Sequence, residues 1–100
     1  SYSVQAKKTR AFFEKWFNNK LLCISFTHQG SFGQTVKVAA KISTLGMDTT
    51  KLCFYYYDRT TNKYVAIKTP NYVLDKNGFL HFNTTYGGDI VISQGPLAKK

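Results

Sequence analysis

The stretch Leu52-Cys-Phe-Tyr-Tyr-Tyr-Asp58, followed by Arg59-Thr-Thr-Asn-Lys63 and Tyr64-Val-Ala-Ile67, constrains the fold more than any other part of the chain. It reads as two aromatic-rich strands joined by a polar turn. Side chains alternate between the two faces of a strand, and residues opposite each other in a ladder share a face. If Tyr57 opposes Tyr64, then Tyr56 opposes Val65, Tyr55 opposes Ala66 and Phe54 opposes Ile67. In that register Phe54, Tyr56, Val65 and Ile67 form an apolar face that enters a core. Tyr55, Tyr57, Tyr64 and Lys68 form the other face. Three rigid rings beside an ammonium group suit a sugar chain or a partner protein, provided that neither the helix nor a second sheet covers them.

A chain of 100 residues is one domain, long enough to bury roughly two-thirds of its unfolded surface without metals. An apolar fraction of 43% supplies the core, and seven glycines and two prolines spread along the chain argue against disorder or a repeat array. No segment reaches the roughly 18 apolar residues of a membrane span, and any secretion signal is expected to lie outside these residues. The net charge of +9 draws polyanions such as nucleic acid, acidic polysaccharide or anionic wall polymer. The cations are spread along the chain, so a merely solvated basic surface and a dedicated anion-binding face both remain open. Lys37 and Lys41, on the wet side of a strand, are candidate contributors to such a face.

Residues 1–8 read as a polar lead-in. From Thr9, placed as a cap, Phe12, Phe13, Trp16 and Phe17 recur at helical spacing until Asn18-Asn19-Lys20 ends the pattern. The stripe predicts a packing face, with Phe13 and Trp16 in the core. The period then becomes two. Leu22, Ile24 and Phe26, the loop His28–Gly33, and Val36, Val38, Ala40 and Ile42 predict a hairpin. Tyr72–Leu74 and Phe79–Phe82 predict another around Asp75-Lys-Asn-Gly78, whose Asn-Gly pair suits a tight turn. Ile90–Ile92 is a last strand, and residues 96–100 are a basic tail to a module spanning 9–95. Some seven short strands and one leading helix predict a mainly β fold: an antiparallel β-sandwich with one N-terminal amphipathic helix.

Candidate chemistry is sparse. Of the five carboxylates, Asp48, Asp58, Asp75 and Asp89 sit at turns, where Asp bonds the local backbone, and Glu14 lies on the helix. No spacing pairs two acids for glycoside hydrolysis, and His28 and His81 have no nucleophile motif beside them. No EF-hand pattern, zinc pattern or helix-feeding glycine loop is present, so neither metal nor cofactor is expected. Cys23 and Cys53 lack redox spacing and read as free thiols, unless their strands are neighbours. No recognisable nucleic-acid-binding motif accompanies the basic charge.

Taken together, Leu22–His28 with Gly30-Ser-Phe-Gly33, Leu52–Asp58 with Asn62-Lys-Tyr64, Asp75–Phe79 and Gly88-Asp-Ile-Val-Ile92 resemble accessory β-sandwich modules. Such modules occur in secreted multi-modular proteins of gut and rumen Clostridia and ruminococci, beside dockerins or carbohydrate-active domains. The resemblance spans roughly residues 9–95 and implies a non-catalytic module of an extracellular Gram-positive setting, secreted or at the cell surface, that binds polysaccharide or protein. Relatives commonly carry a Ser-Asp-Tyr run where this chain has Gly88-Asp89-Ile90, and they are less basic. The expected ligand is a polysaccharide, with the basic surface favouring an acidic one, bound by Tyr55, Tyr57, Tyr64, Lys68, Lys37 and Lys41. The alternative is a protein-interaction or spacer module in a large secreted assembly such as a cellulosome, contacting neighbouring modules.

Overall fold

The computed structural model describes residues 3–68 and 70–100. One helix, α1 (Val4–Trp16), precedes seven strands: β1 (Leu21–Ser25), β2 (Ser31–Lys41), β3 (Leu52–Asp58), β4 (Lys63–Ile67), β5 (Val73–Leu74), β6 (Phe79–Tyr86) and β7 (Asp89–Gln94). They form an antiparallel four-stranded sheet in the order β1-β7-β3-β4 and an antiparallel three-stranded sheet in the order β2-β6-β5. The fold is mainly β, a sandwich of two sheets with the helix on the outer face of the larger one.

Two apolar layers hold this arrangement. Between the sheets lie Leu22, Ile24, Ala40, Ile42, Leu52, Phe54, Leu80, Phe82, Ile90 and Ile92. Between helix and sheet lie Phe13, Phe17, Leu21, Cys23, Tyr55, Tyr57 and Val91. The central strands serve both layers because alternation sends Phe54, Ile90 and Ile92 one way and Tyr55, Tyr57 and Val91 the other.

The β3–β4 register matches the reading of the sequence: Phe54, Tyr55, Tyr56, Tyr57 and Asp58 oppose Ile67, Ala66, Val65, Tyr64 and Lys63. The hairpin of β5 and β6 also forms, and of its Asn-Gly pair only Gly78 takes a positive φ.

Other expectations are corrected. Residues 3–8 are not a lead-in, because Ser3 caps the helix, its Oγ accepting the Ala6 N–H at 3.0 Å; Ser1 and Tyr2 lie outside the described residues. Thr9, read as the cap, is buried in mid-helix. The tail after Gly95 is not loose. Ala98 O accepts the Asn18 N–H, the Lys100 N–H donates to Trp16 O, and Phe17 bridges to Lys99. β1 and β2 do not form a hairpin, since β1 pairs with β7 and β2 with β6. Both faces of β1 are needed, Leu21 and Cys23 under the helix and Leu22 and Ile24 in the sandwich, and the chain crosses to the other sheet after Phe26. Cys23 and Cys53 are free, on strands separated by β7.

Candidate functional site

Three turn aspartates behave as local chemistry dictates. Asp48, Asp58 and Asp75 each accept, through Oδ1, the N–H of the residue two places on, at 3.0, 2.8 and 2.8 Å. Asp89 does not. It is fully buried at the start of β7, where Oδ2 accepts the Thr9 hydroxyl at 2.8 Å and meets Arg59 Nε at 3.4 Å, while Oδ1 has no partner among the described residues. This carboxylate ties α1 and the β3–β4 turn to the sheet. Burial, reinforced by the Asp89 charge, pushes the Cys23 thiol up to about 12. Burial, then Asp89 and Asp58, raises the Tyr57 phenol above its ordinary value.

The tyrosine face is covered by the helix, so the expected open surface of Tyr55, Tyr57 and Tyr64 does not exist. Tyr55 and Tyr57 are 7% and 8% exposed. The Tyr55 hydroxyl accepts the Leu97 N–H at 3.0 Å, and the Tyr57 hydroxyl donates to Asn62 Oδ1 at 2.8 Å. Phe13 packs edge-on to Tyr57, with centroids 4.9 Å apart, and Phe12 stacks on it at 5.5 Å. These rings are a second core.

The expected cations are dispersed as well. Lys68 follows the end of β4, where alternation no longer applies, and lines a small recess with Tyr56, Ile67 and Asn83. Lys37 and Lys41 project from the outer face of the smaller sheet, the Lys41 ammonium 5.1 Å from the Phe79 centroid. The histidines stand apart from one another: His28 stacks on Phe32, and His81 Nε2 lies 2.7 Å from Asp75 Oδ2. That bond foremost, with the Phe79 N–H, holds the Asp75 carboxyl below its usual range.

Tyr64 alone of the three tyrosines reaches solvent, at 38% exposure, with its inner edge against Phe13, Phe17 and Tyr55. Beside it Trp16, expected in the core, is 53% exposed. The helix explains this. Ala6, Thr9, Phe13 and Phe17 form the stripe that meets the sheet, and Phe12 and Trp16 lie on its flank, one residue round, toward β4. Together Phe12, Trp16, Tyr64 and Asn62 line a cleft of about 550 Å³ whose remaining walls include Lys15, Lys99 and Lys100. Among the described residues no acidic side chain lines it. The Lys15 ammonium sits 5.6 Å from the Trp16 ring centroid, at the rim.

Comparison with known proteins gives no match, whether to a family model, a curated protein or a solved structure. The cleft therefore has to be read from its own chemistry. Sequence reasoning found Tyr64 and missed Trp16, Lys15, Lys99 and Lys100. For Trp16 the spacing gave no signal, since Phe12, Phe13, Trp16 and Phe17 all fit one broad apolar stripe and only packing shows which of its edges the sheet covers. For Lys99 and Lys100 there was none either, because only tertiary pairing with the helix end brings the tail there.

Proposed function

We propose that this domain is a non-catalytic carbohydrate-binding module that holds an acidic polysaccharide in the cleft between the end of α1, β4 and the last residues of the chain. One observation carries the reading: an exposed indole and an exposed phenol share a cleft with three lysines and, among the described residues, no acidic side chain. Ring faces match the apolar faces of pyranose rings, and ammonium groups match the carboxylates of uronic acids. The net charge of +9 adds a long-range attraction for such a polymer. In this reading the domain works outside the cell beside other modules, as the resemblance of its strand and turn segments implies.

Affinity-gel electrophoresis with polygalacturonate and a neutral glucan tests the reading. Raising salt from about 0.01 M to about 1 M shortens the Debye length from about 30 Å to about 3 Å. Retardation by polygalacturonate should be strong at the lower value and largely lost at the higher. Polygalacturonate retardation that ignores salt, or neutral-glucan retardation that falls with salt as steeply, contradicts it.

A further inference from the structure

The sandwich core stops short of one end of the molecule, and what lies there is a second cleft of different character. By alternation Val65 belongs to the inner face of β4, and Tyr86, two places beyond the buried Thr84, belongs to the inner face of β6. Both were due to be covered, yet Val65 is 63% exposed and Tyr86 49%. Ile67, farther along β4, still packs on the core. The smaller sheet thus fails to cover β4 only at its turn end, which leaves a mouth of about 690 Å³ between the sheets.

The mouth is lined by rings and hydrogen-bonding groups. Tyr86 lies against Tyr56 with centroids 5.3 Å apart. The Tyr56 hydroxyl is 3.3 Å from Thr84 Oγ1, which also accepts the backbone N–H of Tyr86 at 3.2 Å, so one threonine ties the Tyr56 ring and the Tyr86 backbone together. Gln29, Thr60 and Thr61 supply polar edges, and among the described residues the charged lining is Asp58 and Lys63, one of each sign. The back wall is fixed backbone. Gly88 N donates to His28 O at 2.7 Å, Gly87 N to Gly30 O at 2.8 Å and Phe26 N to Gly88 O at 2.9 Å. A Cβ on Gly87 would lie 2.1 Å from His28 O, so only glycine allows the two loops to close this tightly.

We infer that this mouth is a second sugar site, taking an uncharged glycan, on the face of the β3–β4 hairpin opposite the basic cleft. Tyr64 and Val65 are consecutive in β4 and so point to opposite faces, which gives each cleft one wall of the same strand. Two rings packed on each other, polar edges and cancelling charges suit a neutral pyranose, whereas the lysine-lined cleft selects an acidic one. The inference rests on the carbohydrate reading for its class of ligand but not on the basic cleft itself.

The test is a set of backbone amide NMR titrations of the 100-residue protein with cello-, xylo-, manno- and maltohexaose, and separately with oligogalacturonate. With at least one neutral sugar, at concentrations up to about 5 mM, the amides of Thr60, Val65, Tyr86, Gly87 and Gly88 should shift while those of Trp16, Lys99 and Lys100 stay. Oligogalacturonate should do the reverse. Tyr86→Ala and, on the other sheet, Val65→Arg should each weaken neutral-sugar binding at least tenfold while keeping the wild-type spectrum elsewhere. Silence of the mouth amides toward all four neutral sugars overturns the inference, as does a neutral sugar that shifts only the Trp16 set. Failure of oligogalacturonate to shift the Trp16 set counts against the basic cleft and leaves the mouth standing.

Discussion

Tyr57 and Tyr64 oppose each other across the β3–β4 ladder and share one face, yet Tyr57 is 8% exposed and Tyr64 38%. The helix makes the difference. Phe12 and Phe13 close over Tyr57, while Tyr64, on the edge strand, keeps only its inner side against Phe13 and Phe17. The one face thus serves two ends. Its inner part is core, and its rim, extended by Trp16, stays open to solvent.

Truncating the rings should separate these two roles. Phe13→Ala and Tyr57→Ala should each cost about 3–5 kcal/mol, as large core aromatics do. Trp16→Ala, which removes a half-exposed ring, should cost under about 1 kcal/mol. Thermal or urea melts on the three variants check the order, and a Trp16→Ala variant as unstable as Phe13→Ala would place the indole in the core.

The buried Cys23 thiol makes a pH prediction. Its pKa is raised from 9.0 to about 12 by burial and then by Asp89, so the unfolded chain loses this proton first. The associated stability is complete below pH 9 and is lost as pH climbs toward 12, by about 1.4 kcal/mol per pH unit for one such group. The raised Tyr57 phenol works in the same direction. Urea melts across this range should show the decline, and Cys23→Ala should flatten it even though the variant starts less stable. A slope unchanged in Cys23→Ala would remove the thiol from the explanation.

What the sequence made legible was local. Alternation and the polar turn determine that Tyr57 meets Tyr64, because a slip by one residue would send Phe54 to the wrong face. The sheet to which a strand belongs is not a local property. β1 and β2 carry similar alternation, yet β1 goes to β7 and β2 to β6. Asp89 resembled the other turn aspartates because it follows two glycines, and only its packing under α1 shows that it is buried. Val65 carried every local mark of a core residue. Its exposure follows from where the opposite sheet ends. The basic cleft was hidden for the same reason, since Lys99 and Lys100 reach it only through the backbone bonds that join the tail to Trp16 and Asn18.

Trp16 is the sole tryptophan of the chain and lines the basic cleft, so its fluorescence reports on the proposed site without labelling. The direct measurement is acrylamide quenching of Trp16 with and without polygalacturonate, at about 0.01 M and about 1 M salt. An acidic polymer seated on the indole should cut the quenching constant several-fold at low salt, restore it at high salt, and leave it unchanged when a neutral glucan replaces polygalacturonate. Polygalacturonate binding at low salt, confirmed by affinity gel, with no protection of Trp16 would contradict the account.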